Sequence, residues 1–518
     1  MYKIYKRSAL LLSAGLLLSG VSACTDKFEE FNTNPHAPTQ DQMKGDNAGT
    51  ISILSSMMPV FIQGQQNSSQ MIDQMYGSEY GGMIANINPW SGTNSYTYNA
   101  PNNWTSSPFN DILPQIYSQY NQLKELTGGE GLAYQLAQLM RIVGTLRVAE
   151  CYGPTPYSQV GTSYEGVAYD SESDLYANII SDLETLVEEL FLASTSDGSS
   201  FAAADFVYGG NIAKWAKYAN TLRLRTAMRI VNANATLAQQ TAEKAVAHAA
   251  GLIETPDEAA WSSFNDGTNP FYRACTDWGD MRVSGNLSCY LNGFNDPRTS
   301  KYLTEVNGQY VGARNGYSQT ASTFSGYQNN TSQLNLAPLD PLIVMSASES
   351  FFHRAEGALR GWNMGGTAQS LYEQGVQVSM SERGASIGSY LSVTSGPSTY
   401  TDPTGRSSYN TTLSSVCPQW NASAGFEANL ERIIVQKYLA NFPNGWETWT
   451  DIRRTGYPKF MPIPNNLNSD GVTATRGMRR LPYPMNERNT NLANYNDAVR
   501  MLGGPDTGAT DLWWAKKN

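Results

Sequence analysis

The residues best suited to binding chemistry in this chain are aromatic rings and side-chain amides in a segment that carries no charge. Residues 80–110 contain no Asp, Glu, Lys or Arg. The aromatic members are Tyr80, Trp90, Tyr96, Tyr98, Trp104 and Phe109, and the amides include Asn86, Asn88, Asn94, Asn99, Asn102 and Asn103. A neutral sugar is held by a ring against its apolar face and by hydrogen bonds from amides to its hydroxyls. An uncharged peptide is held by similar groups, so the segment predicts a binding surface without separating glycan from peptide.

A second polar segment, residues 261–327, offers further rings and a guanidinium for the other side of such a site. From composition we predict these ligand contacts: Trp90, Tyr96, Tyr98, Asn102 and Trp104 on one side, and Arg273, Trp278 and Tyr290 on the other. A ring that covers about 80 Å² of apolar ligand surface contributes about 2 kcal/mol. Two or three rings then give roughly millimolar to micromolar affinity. For any single aromatic residue, burial in the core is the alternative interpretation.

Histidine supply argues against catalysis. The chain has three histidines, His36, His248 and His353, and none lies in a His-Glu-x-x-His motif. Residues 384–388 match the Gly-x-Ser-x-Gly pattern, but the hydrolases that use it need a later histidine, and none follows His353. We therefore expect no enzyme, no catalytic residue and no cofactor. A structural calcium ion among the Asp-containing loops stays open, as does a lipid-anchored glycoside hydrolase, because two carboxylates can meet in space from distant positions.

The first residues are typical of an export signal. Lys3, Lys6 and Arg7 precede an apolar run at residues 9–18, which is about half the length that a membrane-spanning helix needs. Small residues then lead to Cys24 and resemble the lipobox of bacterial lipoproteins, with an incidental cysteine at a plain cleavage site as the alternative. We predict a signal peptide at 1–23, a lipidated Cys24 that begins a tether at 24–45, and a ligand-binding domain at 46–518. Several acyl chains on one residue anchor a protein durably.

Charge and composition exclude some partners and some classes of protein. The chain has 518 residues, with 35 Lys and Arg against 45 Asp and Glu for a net charge of −10, so nucleic acid is not expected as a partner. Hydrophobic residues make up 41% and charged residues 15%, which excludes a disordered chain.

The cysteines other than Cys24 are Cys151, Cys275, Cys289 and Cys417. In an exported protein, free buried thiols and one disulfide, with Cys275 and Cys289 near enough in sequence to pair, are equally supported.

Most of the chain outside the two polar segments shows the spacing of apolar residues that is typical of helices. Apolar residues from Leu175 to Leu190 recur at helical spacing behind Ser171, a capping residue. Similar faces predict helices at 132–146, ended by Gly153-Pro154, and at 212–230, 346–360, 367–382 and 430–440. Short connections favour antiparallel helix pairs. The predicted fold is mainly α, an irregular αα superhelix with long polar loop insertions, of which residues 384–425 are expected to cover one face.

Six blocks of sequence lie in order along the chain and are recognisable together. They are Phe28 to Pro35, Phe294-Asn295-Asp296-Pro297-Arg298, Ser348 to Trp362, Ile433 to Pro458, Arg480 to Pro484 with Glu487 and Asn491, and the closing Leu512-Trp513-Trp514. These blocks resemble the SusD/RagB family of SusD-like outer-membrane lipoproteins. The block from Ile433 to Pro458 is the most specific. The chain departs from the family at Gly357, where an alanine is expected, and this costs helix propensity.

The resemblance implies tetratricopeptide-like helix pairs and a place on the outer face of a Gram-negative outer membrane. It implies a lid over a SusC-like TonB-dependent transporter that delivers oligosaccharides, or in some members peptides. The membrane contact is expected through the lipid anchor only. Family ligand residues vary between members, so no site residue is carried over. From the residues themselves, Glu447, Asp451, Arg453 and Arg454 are expected to form an ion-paired network that braces helix ends.

Overall fold

The computed structural model of the protein describes residues 48–161, 166–264, 267–317 and 320–515. The chain divides into two compact units, residues 1–50 and residues 51–518. Of the first unit, residues 48–50 alone are described, where the first helix begins. The predicted signal peptide, the lipidation site Cys24, the tether and the predicted domain start at residue 46 lie outside the described residues.

Helices are the main elements of the second unit. The α-helices of nine or more residues are α1 (Ala48–Met57), α2 (Ser107–Thr127), α3 (Gly131–Tyr152), α4 (Glu172–Leu192), α5 (Ile212–Arg229), α6 (Ala235–Ala247), α7 (Gly285–Gly293), α8 (Ala321–Asn330), α9 (Ala347–Leu359), α10 (Ala368–Glu382), α11 (Gly425–Ala440), α12 (Trp446–Thr455) and α13 (Leu492–Leu502). Shorter α- and 3-10 helices are Met58–Val60, Gln66–Ser69, Trp90–Gly92, Asn102–Thr105, Ser199–Phe201, Pro270–Tyr272, Thr299–Tyr302, Tyr390–Ser392 and Met485–Thr490, and Gln70–Ser78 and Arg273–Asp277 are π-helical. The strands are β1 (Ile84–Asn86), β2 (Ala260–Ser262), β3 (Met281–Val283) and β4 (Leu342–Met345).

The predicted helices are confirmed, and their ends follow local chemistry. At the start of α4 the Ser171 hydroxyl accepts a hydrogen bond from the Asp174 backbone N–H at 3.2 Å, and the apolar face from Leu175 to Leu190 is buried. Helix α3 stops at Gly153, whose φ of +94° is unfavourable for residues with a side chain. Helix α11 begins at Gly425, five residues before the predicted start.

Consecutive helices pack in pairs, as the short connections predict. Helix α2 packs on α3, α4 on α5, α5 on α6, and α9 on α10 and α11. Their facing apolar side chains form one large buried core that runs through the unit. The fold is thus mainly helical and built from helix pairs, as predicted, with the polar segments as insertions between pairs.

Two short antiparallel sheets join segments that are distant in sequence. Strand β1 pairs with β3, with Ile84 opposite Val283 and Asn86 opposite Met281. Strand β2 pairs with β4. Beyond β1, the Asn88 side-chain amide donates to Asp280 Oδ1 at 2.7 Å. The β1–β3 ladder therefore fixes the first polar segment against the second.

A buried network of ion pairs connects helices α5, α9, α11 and α12. Arg229 Nη2 lies 2.9 Å from Glu447 Oε1 and Lys437 Nζ lies 3.0 Å from Asp451 Oδ2. Arg454 Nη2 lies 2.9 Å from Asp451 Oδ1. These side chains are nearly inaccessible to solvent, so their charges depend on one another for compensation. The predicted bracing of helix ends is confirmed for Glu447, Asp451 and Arg454.

Arg453 departs from that prediction. Among the described residues its guanidinium has no carboxylate within ion-pair distance, and it donates instead to the carbonyls of Trp449 at 3.1 Å and Arg479 at 3.2 Å. Its Cζ lies 3.7 Å from the centre of the Trp449 ring and 4.9 Å from that of Trp514. Helical spacing turns Arg453 away from the acids that Arg454 contacts, because adjacent residues on a helix do not share a face.

The cysteines outside the first unit are free thiols. Cys151, Cys275 and Cys289 are buried and Cys417 is partly exposed. Of the two alternatives that the sequence left open, the structure therefore has thiols and not a Cys275–Cys289 disulfide.

Candidate ligand-binding site

A cavity of about 560 Å³ opens between the first polar segment and the chain that follows α12. Its lining includes five partly exposed rings, which are Tyr80, Tyr98, Tyr409, Tyr457 and Phe460. Its size lies within the range of small-molecule sites in proteins. The combination of rings and convergent polar groups makes it the candidate site for a ligand of a few sugar rings or residues.

The first polar segment builds one wall. Tyr80 follows the π-helix Gln70–Ser78, and its hydroxyl donates to the Ser95 carbonyl at 3.2 Å. Its ring centre lies 5.8 Å from that of Tyr98 and 5.3 Å from that of Trp449. Three rings from two distant segments thus form one aromatic wall, which burial and ring contacts both stabilise.

A strained turn presents Tyr98 to the cavity. Its φ is +59°, a left-handed conformation that costs a residue with a side chain about 1–2 kcal/mol. Hydrogen bonds around the turn hold it: the Tyr98 N–H donates to the Ser95 carbonyl at 3.0 Å, and Asn468 Nδ2 donates to the Tyr98 carbonyl at 2.9 Å. The Ser95 carbonyl and the Asn468 side-chain amide therefore fix the position of Tyr98.

Helix α12 and the segment after it supply further lining residues, among them Tyr457 and Phe460. The helix ends at Gly456, which has a φ of +86°, and the chain turns through Tyr457-Pro458 to Phe460. The Phe460 ring packs 5.5 Å from Tyr438, and the Tyr457 hydroxyl donates to Glu427 at 2.9 Å. Composition alone did not point to Tyr457 and Phe460, because both lie outside the polar segments that the sequence singled out.

A carboxyl group lies on the floor of the cavity. Glu79 Oε2 accepts from the Asn86 backbone N–H at 2.6 Å and from Asn86 Nδ2 at 2.7 Å, and Oε1 accepts from Asn315 Nδ2 at 2.9 Å. Burial raises the pKa of Glu79 to about 7, against the lowering effect of these hydrogen bonds. Glu79 thus links Asn86, the last residue of β1, to Asn315 and holds this part of the lining in place.

The predicted site residues fall into three groups in the structure. Tyr96 and Tyr98 line the cavity, although Tyr96 is 2% exposed. Trp90 and Trp104 pack edge to face, with ring centres 5.8 Å apart, and are partly exposed outside the lining. Trp90 also has a positive φ, +31°. Ligand contact by this tryptophan pair stays a prediction.

The remaining predicted residues are not among those that line the cavity. Asn102 Oδ1 accepts from the Met485 N–H at 3.0 Å, at the start of a short helix. Tyr290 is fully buried, and its hydroxyl donates to the carbonyl of Lys459, a lining residue, at 2.9 Å. Arg273 Nε lies 3.4 Å from Asp277, and Trp278 is 37% exposed just before the Asp280 that Asn88 contacts. For these too, ligand contact stays a prediction.

One cluster of potential metal ligands occurs in the described part of the chain, and its chemistry is that of an ion-pair network. Glu349, His353 and Glu447 have ligand atoms within 4.8 Å of one another. Arg225 Nε lies 2.6 Å from Glu349 and Lys437 Nζ lies 3.3 Å from Glu447. These cations already neutralise the carboxylates, and a divalent ion placed among them would meet their repulsion.

Comparisons with known proteins identify the family to which this chain belongs. The family model described as SusD-like, SusD and RagB outer membrane lipoprotein, matches residues 30–515. The chain belongs to this family. A comparison with curated proteins found no match. Within the described residues, no helix combines the length and apolarity needed to cross a membrane.

Solved structures of SusD homologues share the fold over nearly their whole length. A homologue from Bacteroides uniformis is 37% identical, has a TM-score of 0.86, and the match covers 91% of this chain and 100% of that one. A SusD-like protein from Bacteroides thetaiotaomicron is 35% identical with a TM-score of 0.86, covering 90% and 99%. A chitin-binding SusD homologue from Flavobacterium johnsoniae is 32% identical with a TM-score of 0.84, covering 91% and 99%.

Proposed function

We propose that the protein is a surface-exposed lipoprotein that captures oligosaccharides and delivers them, as a lid, to a SusC-like TonB-dependent transporter. The observation that carries the proposal is the cavity of about 560 Å³, with its five partly exposed rings above an amide-bonded floor. Family membership supports the outer-membrane setting, and the chitin-binding homologue supports a glycan as cargo. In this proposal lipidated Cys24 supplies the anchor.

The cavity favours capture over hydrolysis. Of the described residues that line it, Glu79 is the only carboxylic acid, and both its oxygens accept hydrogen bonds from asparagines. A glycosidase of the usual kind needs two carboxyl groups on either side of the scissile bond. We therefore propose a binding role without turnover, in place of the lipid-anchored hydrolase.

The experiment that tests this function is calorimetric titration of the purified protein with a panel of oligosaccharides and a matched panel of peptides. We expect binding of an oligosaccharide in the millimolar to micromolar range and about tenfold weaker binding by Tyr98→Ala. The lost ring accounts for 1–2 kcal/mol, and each 1.4 kcal/mol is a factor of ten.

Phe426→Ala is the matched control, because this partly exposed ring lies outside the cavity lining. We expect the control to bind as the unsubstituted protein does. Binding of peptides but no saccharide would replace glycan with peptide as cargo. Release of shorter sugars from any member of the panel would contradict a role in capture alone.

A further inference from the structure

The charges around the cavity differ in sign from those of the protein as a whole. The chain has a net charge of −10, yet the cavity lining contains the bases Arg453, Lys459, Arg476 and Arg479 against the single acid Glu79. A cleft that concentrates one sign of charge focuses its field on the ligand. The cavity is therefore an electropositive site on an acidic protein.

Two of these bases share one carboxylate. Arg476 Nη2 lies 2.9 Å from Asp511 Oδ2 and Arg479 Nε lies 2.5 Å from Asp511 Oδ1. The Arg476 side chain is 38% exposed, whereas that of Arg479 is 7% exposed. Asp511 thus compensates one positive charge of the pair, and the accessible Arg476 retains capacity to bind a further anion.

Two further guanidinium groups near the cavity have no carboxylate partner in the part of the chain that the structure describes. Arg453 is 1% exposed, lines the cavity, and has an unpartnered Nη2. Arg314 is 5% exposed, and its Nη2 donates to the carbonyl of Pro462, a lining residue, at 2.8 Å. Its Nε and Nη1 have no partner, and its Cζ lies 5.2 Å from the centre of the Tyr409 ring. Buried charges that lack a counter-ion are stabilised by an anion that enters nearby.

Lys459 adds a fifth basic group, which is accessible to solvent. Its side chain is 50% exposed, and its Nζ lies 3.5 Å from Glu431 and 5.6 Å from the centre of the Tyr457 ring. Burial lowers the pKa of Arg453 to about 9, which leaves that guanidinium charged at neutral pH. All these bases therefore contribute positive potential under physiological conditions.

We propose that the cargo of this cavity is an acidic oligosaccharide, whose rings pack on Tyr98 and Tyr457 while its anionic groups bind Arg476 and Lys459. The proposal rests on the proposed function and specifies the class of its substrate. A carboxylate of a uronic acid and a sulfate ester present the same anionic oxygens to a guanidinium. The chemistry shared by the two is an anion on a hydroxylated ring.

The test is calorimetric titration of the purified protein with paired ligands that differ only in charge. The pairs are a galacturonate tetrasaccharide with its carboxyl-reduced form, a glucuronate-containing tetrasaccharide with its carboxyl-reduced form, and a sulfated tetrasaccharide with its desulfated form. We expect at least one anionic member to bind about tenfold or more tightly than its neutral partner. Its affinity should fall several-fold between 20 mM and 300 mM salt, because salt screens exposed charges.

Substitutions of basic residues in the cavity lining test whether the preference for anionic ligands arises there. Arg476→Gln and Lys459→Gln should each weaken the anionic ligand about five- to tenfold and change the neutral partner less than twofold. Asp511 keeps its contact with Arg479 in the first variant, so the local structure is retained. Arg500→Gln, which removes an exposed arginine outside the cavity lining, should leave both affinities unchanged.

Three outcomes would overturn the acidic-cargo proposal. Neutral members that bind as tightly as their anionic partners would overturn it and leave the proposed function intact. If an acidic peptide binds more tightly than any saccharide, the cargo is a peptide and not an oligosaccharide. Binding of no saccharide at all, charged or neutral, would overturn the proposed function with it.

Discussion

Replacing Glu356 with glutamine should lower the free energy of unfolding by about 3 kcal/mol or more. Glu356 is 1% exposed and receives two parallel contacts from Arg454, Nη1 to Oε1 at 2.6 Å and Nη2 to Oε2 at 2.8 Å. Arg360 Nη2 also lies 2.8 Å from Oε1. The variant keeps the shape of the side chain but leaves these guanidinium groups with less compensation in the interior. Urea unfolding at pH 7, followed by circular dichroism, measures the loss.

The loss of stability caused by Glu356→Gln should become smaller as the pH falls. Burial raises the pKa of Glu356, but Arg454 and Arg360 outweigh it and hold the pKa well below its ordinary value of 4.5. A carboxyl group with a lowered pKa stabilises the fold in full above its unfolded value and loses that contribution as the pH falls. The difference between Glu356→Gln and the unsubstituted protein should therefore shrink below about pH 4.5.

Asp497→Asn is the matched control for this prediction. Asp497 also lies in a helix and pairs with a cation, Arg500 at 2.9 Å, but the Asp497 side chain is 49% exposed and that of Arg500 is 74% exposed. An exposed pair contributes about 0–1 kcal/mol. Equal destabilisation by the two variants would contradict the account of a buried network that braces the helices.

The second large effect is expected from blocking the cavity with Thr475→Trp. Thr475 lies in the lining and its side chain is exposed, so a larger side chain there meets the cavity and not the core. The indole ring, which covers 150–250 Å² in protein contacts, would occupy volume that a ligand needs. We expect the affinity for the selected oligosaccharide to fall about 30-fold or more, with little change in the free energy of unfolding.

Thr185→Trp provides the comparison, because Thr185 is exposed on α4 and outside the lining. Calorimetric titration of both variants with the same oligosaccharide separates steric exclusion from a general effect of an added tryptophan. Undiminished binding by Thr475→Trp would show that the ligand lies elsewhere.

The helical fold could be predicted from sequence because its signals are local. The apolar face of α4 and its Ser171 cap lie within one stretch of chain, so spacing alone fixes both. The same applies to α9 and α10, whose caps are Ser346 and Thr367. Packing of consecutive helices then follows from short connections.

The cavity could be predicted only in part, because its walls meet through long-range contacts. Uncharged composition singled out Tyr96 and Tyr98, but it could not rank them above Trp90, which packs against Trp104 instead. Tyr457 and Phe460 were missed because they lie outside the uncharged segment and directly follow a helix whose charged residues, among them Asp451 and Arg454, pair in the interior. The basic lining is also invisible in sequence, since Arg476 and Arg453 come together only when the chain after α12 folds back.

The most direct measurement is a crystal structure of the protein with an oligosaccharide identified by titration. The account predicts that the sugar occupies the cavity, with a ring in contact with the Tyr98 side chain and hydroxyls within hydrogen-bond distance of the lining. A structure in which the sugar lies on the Trp90–Trp104 pair or another surface, while the cavity holds only solvent, would contradict it.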